Sequence, residues 1–216
     1  MNLKQILSTG ARELGTELTA QQIGLFLEYL DNLKTWNKKI NLTGVESDKE
    51  IVIKHFLDSV SVVPFISENS KLLDMGSGAG FPGIPLKILI PPLEVTLLDS
   101  AEKKVFFMRD VIRKLQLKRV VSMWGRAEDP NNRVSRGCFD IVVSRAVGRI
   151  ERLVKLAETY ISREGKIILM RGKRGLEEWE ELKDKPNKKF RLLESKELSL
   201  PFGGHKRVIL IVGSLK

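Results

Sequence analysis

Lys71-Leu72-Leu73-Asp74-Met75-Gly76-Ser77-Gly78-Ala79-Gly80-Phe81-Pro82-Gly83 is the stretch on which the fold turns. A short apolar run ends in an acid, three glycines alternate, and Pro82 and Pro85 flank the following turn. The apolar run predicts a buried strand. Alternating glycines permit positive φ and let a ligand approach the backbone with no Cβ in the way. Pro85 suits the first turn of a helix, where a missing N–H costs nothing. Strand, glycine loop and helix N-terminus together are how α/β proteins hold a nucleotide-like ligand.

Spacing narrows the ligand. A dinucleotide fingerprint needs glycines at the first, third and sixth positions, the last one closing helix onto strand. Counted from Gly76, the sixth position is Phe81, and the third glycine comes early, at Gly80. The pattern Gly-x-Gly-x-Gly after Asp74 resembles the first motif of methyltransferases that use S-adenosylmethionine (SAM), a cofactor without a pyrophosphate. A purely structural turn is the plain alternative. Val95-Thr96-Leu97-Leu98-Asp99 then predicts a second strand ending in a carboxylate, 23 residues after Gly76. An acid there is placed to accept hydrogen bonds from ribose hydroxyls. Asp99 equally suits a helix N-cap, and the two roles are compatible.

The 216 residues suffice for one good core, or for one domain with a helical extension. No apolar run approaches a membrane span, no signal-peptide core opens the chain, and Cys138 has no partner for an internal disulfide. A reducing cytoplasm is the expected location. Two histidines and one cysteine are too few for a structural zinc cluster, so no metal is expected. Residues 1–66 carry 7 Lys/Arg against 8 Asp/Glu, whereas the remainder carries 30 against 19. The whole excess behind the net charge of +10 therefore lies on the segment with the glycine loop. A polyanionic partner, most often nucleic acid, follows from that asymmetry; a basic protein that is merely soluble is the alternative.

Apolar spacing predicts helices over 3–15, from a Thr19/Gln22 capping box onward, and from a Ser47/Glu50 capping box to before Pro64. From residue 71 strands and helices alternate. Strands are predicted at Lys71–Met75, Val95–Asp99, Val120–Trp124, Phe139–Val143 and Lys166–Met170, and an antiparallel hairpin at about Leu192–Leu200 and Val208–Val212. Helices are predicted at about Ile84–Ile90, Lys103–Leu115 and Ile150–Tyr160, and around Trp179. The expected fold is α/β and Rossmann-like, with ligands at the C-terminal ends of the strands. Its mostly parallel seven-stranded sheet has an antiparallel edge hairpin. A helical segment over residues 1–66 is expected to pack on a domain formed by residues 67–216.

Several blocks resemble the RsmG (GidB) methyltransferases over roughly residues 20 to 212. They are Trp36-Asn37 with Asn41-Leu42-Thr43, His55 with Asp58-Ser59, the block Asp74 to Gly83, and Leu98-Asp99-Ser100 with Lys103-Lys104. Gly125-Arg126-Ala127-Glu128 and Ser144-Arg145-Ala146-Val147 complete the set. The resemblance implies methyl transfer from SAM to N7 of a guanine in bacterial 16S ribosomal RNA; the RNA is expected within the small subunit and the protein as a monomer, although the sequence itself is silent on oligomeric state. Its motif positions put Gly76, Phe81, Ala127, Glu128 and Arg145 against SAM; Ser77, Gly78 and Asp99 join them from the loop and ribose readings above.

The residues agree with that target by elimination. Strand four runs into Ser144-Arg145-Ala146-Val147 rather than the Asn/Asp-Pro-Pro-aromatic loop that exocyclic amine methylation uses. Cys138, which a pyrimidine-carbon reaction would need as nucleophile, precedes strand four at the end away from the site. Guanine N7 offers a lone pair and carries no proton, so positioning suffices without a general base. Absence of a catalytic motif is also what a non-enzyme would show. Arg145, the one catalytic candidate, could pair with the SAM carboxylate or with guanine O6. The motif match favours the cofactor side, and a structural ion pair with Glu128 or Asp74 is the plain alternative. His55 reads as a satisfied core or interface histidine, though its helix could cover the site. Lys103, Lys104, Arg171, Lys173, Arg174, Lys188, Lys189 and Arg207 are expected on the RNA-facing rim, and Lys183 to Arg191 reads equally as a solvated helix face. The competing classes are a small-molecule methyltransferase, a nucleic-acid-binding protein with a vestigial pocket, and a nicotinamide oxidoreductase. Charge asymmetry disfavours the first and Phe81 disfavours the last.

Overall fold

The computed structural model describes residues 1–45, 47–145, 148–182 and 190–214. Seven strands form one sheet: β1 (Lys71–Met75), β2 (Glu94–Asp99), β3 (Val120–Trp124), β4 (Phe139–Arg145), β5 (Ile161–Gly172), β6 (Phe190–Ser199) and β7 (Lys206–Ser214). Their order is β3-β2-β1-β4-β5-β7-β6. The first five are parallel; β7 runs antiparallel between β5 and β6. After β1 the chain builds outward through β2 and β3, then returns to place β4 on the other flank of β1. That reversal opens a crevice at the C-terminal ends of β1 and β4, where α/β sheets bind ligands.

Strand residues alternate between two buried layers, the period-two signature of a sheet covered on both faces. Leu72, Val95, Leu97, Ile141, Val143 and Ile168 join one layer. Leu73, Met75, Leu98, Val142, Ile167 and Leu169 join the other. The second layer is covered by α7 (Ile150–Tyr160), which buries Ile150, Leu153, Val154, Ala157 and Tyr160 at helical spacing, and by α8 (Gly175–Glu180). On the first lie α5 (Gly83–Leu89), α6 (Glu102–Lys114) and the N-terminal helices. Within α6, Phe107 and Val111 are buried, while Phe106 points to solvent.

The N-terminal helices are α1 (Leu3–Glu13), α2 (Ala20–Asn37), and a continuous run of α3 (Asp48–Ile51), a π-helical stretch (Val52–Leu57) and α4 (Asp58–Val60). The Thr19/Gln22 capping box forms as expected, and Asn2 with Gln5 makes another at α1. Ser47 and Glu50 do not: the Ser47 side chain makes no cap bond, and Glu50 pairs with Lys54 along the helix. Ion pairing at i,i+4 has taken the side chain that the capping box needed. Strand β5 is also longer than predicted. It begins at Ile161, opposite Phe139, and its register then jumps to pair Ile141 with Lys166. The bulge absorbs the residues around Gly165, which read as a loop in sequence.

The third fingerprint glycine is displaced rather than lost. A Cβ on Gly83 would sit 2.3 Å from Leu97 Cδ2 and 2.9 Å from Asp74 Oδ2. Gly83 therefore lets α5 approach β1 and β2, and its N–H donates to Asp74 Oδ2 at 2.8 Å.

Candidate active site

Two cavities meet at the glycine loop. One, of about 200 Å³, is lined by Gly76, Asp99, Ala127 and Glu128 among others. The second, of about 490 Å³, is lined by Gly76, Ser77, Gly78, Phe81 and Arg145, with His55, Asp58, Arg171 and Arg207. All eight predicted cofactor residues thus face one or other cavity, and Gly76 faces both. Gly76, Gly78 and Gly80 all have positive φ. A Cβ on Gly78 would meet nothing within 4 Å, so it would project into open space that a ligand can fill.

Asp99 is committed to the loop rather than to a helix cap. Its Oδ2 accepts from Gly78 N–H and its Oδ1 from Ala101 N–H, both at 2.8 Å, while the α6 N-cap is Ala101. Each carboxylate oxygen retains a further lone pair for a ligand hydroxyl. Glu128 is paired with Arg152, not with Arg145. Ala127 O accepts from Tyr160 Oη at 2.6 Å, which fixes the backbone at this wall.

Arg145 ends β4 and pairs with neither Glu128 nor Asp74. Its Nη1 donates to Lys54 O at 3.1 Å and to Asp58 Oδ2 at 3.3 Å, and its guanidinium lies 5.1 Å from the Phe81 ring centroid. Asp58 Oδ1 accepts from Arg207 Nε at 2.9 Å. One buried carboxylate therefore bridges two guanidiniums, from the end of β4 and the start of β7. Sequence reading left Asp58 and Arg207 without this role; the His55-x-x-Asp58 block was the only signal.

His55 is not a satisfied core histidine. The π-helical stretch, a local widening frequent at functional sites, puts it on the cavity wall, stacked on Phe81 at 4.8 Å. Nε2 lies 2.9 Å from Thr43 Oγ1, while Nδ1 is buried without a hydrogen-bond partner. Burial, and then the Arg145 charge, push its pKa down to about 3, so the imidazole is neutral. The Asn37-to-Thr43 block is explained by the same wall. Asn37 Oδ1 accepts from Leu42 N–H at 2.8 Å and Thr43 N–H at 3.0 Å, folding the loop that presents Thr43 to His55. From α2, the buried Tyr29 hydroxyl donates to Ala79 O in the glycine loop, and its ring stacks on Phe81.

Asp74 lies under the loop, fully buried, with Oδ1 unpartnered. Burial pushes its pKa up to about 7, against the opposing pull of the Gly83 N–H. A raised carboxyl pKa gives stability that is full below the unfolded value near 4 and is lost as pH rises toward 7. Between pH 5 and pH 8, the melting temperature of Asp74→Asn should therefore gain on that of the parent. Parallel melting curves across that range would refute the assignment.

Of the rim residues predicted to face RNA, Arg171 pairs with Glu178, Arg174 with Glu177 and Arg207 with Asp58, while Lys103 and Lys173 are exposed. Lys104 is half-buried. Lys183 to Lys189, and Ala146 and Val147 of the quoted block, lie outside the described residues.

The chain matches the family model described as rRNA small subunit methyltransferase G over residues 22–209. It is 40% identical to the Ribosomal RNA small subunit methyltransferase G of Acetivibrio thermocellus, covering 98% of this chain and 88% of the relative. It is 39% identical to the protein of that name from Geotalea uraniireducens, covering 97% and 95%. Among solved structures, it shares its fold with a SAM dependent methyltransferase from Aquifex aeolicus, at TM-score 0.58 and 16% identity, over 76% of this chain and 92% of that one.

Proposed function

Because the chain belongs to the GidB family, rRNA small subunit methyltransferase G, we propose that it methylates N7 of a guanine in bacterial 16S ribosomal RNA, using SAM. The observation that carries the reading is the pair of cavities joined at Gly76, one walled by Asp99, Ala127 and Glu128 and the other by Phe81 and Arg145. The residues present fit the cofactor: a side-chain-free turn with open space over Gly78, an acid at the end of β2, and a guanidinium at the end of β4. When bound, SAM supplies an electrophilic methyl on a sulfonium.

In this reading the backbone from Gly76 to Phe81 holds the amino-acid and ribose part of the cofactor. Asp99 accepts from the ribose hydroxyls, and Ala127 and Glu128 meet the adenine edge. Arg145 serves the cofactor carboxylate, and His55 and Phe81 form a neutral aromatic wall beside it. Guanine N7 has no proton to lose, and the cavity side chains support attack without a general base. Asp58 is occupied by two guanidiniums, and His55 is a poor proton acceptor with its pKa near 3. Residues 1–66 act as a helical part of the site, supplying His55 and Asp58 to a methyltransferase domain formed by 67–216. The protein is taken to work as a monomer in the cytoplasm, where ribosomal RNA is made.

Mapping of modified guanines in ribosomal RNA from cells with and without this protein tests the proposal. One N7-methylguanine in the small-subunit RNA should vanish with the gene and return with it; an unchanged pattern would overturn the reading.

A further inference from the structure

We propose a second nucleotide site on the rim of β3, taking an unpaired ribonucleotide with its base stacked on Trp124 and its phosphate on Arg126 and Arg133. The proposal rests on the ribosomal-RNA reading above and names how the same substrate strand is gripped outside the reaction cavity.

Trp124 ends the edge strand of the sheet with 60% of its surface exposed. The ring is not loose: its Nε1–H donates to Ser100 O at 3.0 Å. A large indole held in one orientation in water is a prepared stacking surface, since its ordering is complete before a ligand arrives. Beside it lies a cavity of about 790 Å³ that the methyl-transfer site does not use, lined by Arg109, Arg126 and Arg133. All three arginines are exposed, and among the described residues Arg126 and Arg133 have no ion pair. Arg109 lies 5.7 Å from the ring centroid of Phe106, which is itself 49% exposed. Asp129 is the carboxylate on this wall, and its Oδ1 accepts from Asn131 N–H at 2.8 Å.

Aromatic faces interleaved with guanidiniums are the recognition chemistry of single-stranded nucleic acid: bases stack on the rings and phosphates meet the charges. An apolar peptide has no use for three arginines, and an acidic one gains little from a fixed indole face. Position agrees with charge. Ser100, Gly125 and Arg126 wall both this cavity and the smaller one beside the glycine loop, so the two share a rim. From β3 to β4 the sheet spans three strand spacings, roughly 14 Å. That is about four stacked nucleotides at ~3.4 Å each. The nucleotide on Trp124 therefore belongs to the strand flanking the target guanine.

The full chain is titrated with small-subunit RNA while tryptophan fluorescence is followed, because Trp36 is half-buried and Trp179 buried. RNA should quench the parent's emission. Trp124→Ala should remove most of that quenching and weaken RNA binding roughly 5- to 150-fold, the range of one stacked base. Trp124→Phe should retain most of the affinity, and Arg133→Ala should lower the salt slope of binding by about one. SAM affinity, measured by calorimetry, should stay at the parent's value in all three. Equal RNA affinity for Trp124→Ala and the parent would overturn the proposal, as would an altered sedimentation coefficient with RNA affinity intact, which would mean that a second copy covers the surface. A parent that binds RNA through Trp124 but transfers no methyl group would sink the functional reading and leave this one standing.

Discussion

Arg145→Ala should lower SAM affinity roughly 10- to 150-fold, the loss expected for one charge-assisted hydrogen bond. The fold should survive, because Asp58 keeps its bond to Arg207 when Arg145 is gone. Arg145→Lys should recover only part of the loss, since an ammonium keeps the charge without the planar fork that reaches Lys54 O, Asp58 and the Phe81 face together. Calorimetry with SAM and turnover at saturating SAM separate the two roles open to this residue. Weaker binding with intact saturated turnover assigns Arg145 to the cofactor. Intact binding with reduced turnover assigns it to the guanine. Unchanged values for both would remove it from the site.

The second large effect is expected at Asp58. Its carboxylate is 4% exposed and serves two guanidiniums that are 18% and 23% exposed. Removing one partner of a buried ionic cluster leaves the others uncompensated, at a cost of 3–5 kcal/mol in fully buried cases. Both arginines retain some access to water, so Asp58→Asn should cost about 2–3 kcal/mol, or a melting temperature lower by about 5–10 °C. SAM affinity should fall as well, because Arg145 loses the acceptor that orients it. A melt identical to the parent's would show that the bridge contributes nothing to the fold.

These two residues mark where the sequence was readable and where it was not. Apolar runs exposed the central strands β1, β2, β4 and β5, because residues buried on both faces must be apolar over short runs, whereas the largely exposed edge strand β6 was legible only through the short turn that joins it to β7. The Gly76–Gly80 spacing and Asp99 were readable for a similar reason: a turn without side chains and an acid at a strand end are local features. The Asp58 bridge is not local. Its partners lie 87 and 149 residues away, and no spacing rule connects them. That the His55 helix could cover the site was legible, but the stacking of His55 on Phe81 was not, because the π-helical widening leaves no mark along the helix stripe. The Ser47 capping box failed through competition, since Glu50 had Lys54 within reach. Gly83 closes the Asp74-to-Gly83 block, but its packing role needs Leu97 and Asp74 in place around it.

Arg207 opens β7, and through Asp58 it completes the wall that Leu42 and Thr43 begin near the other end of the sequence. A nascent chain emerging from the ribosome therefore carries no finished pocket until its seventh strand has been made and inserted between β5 and β6.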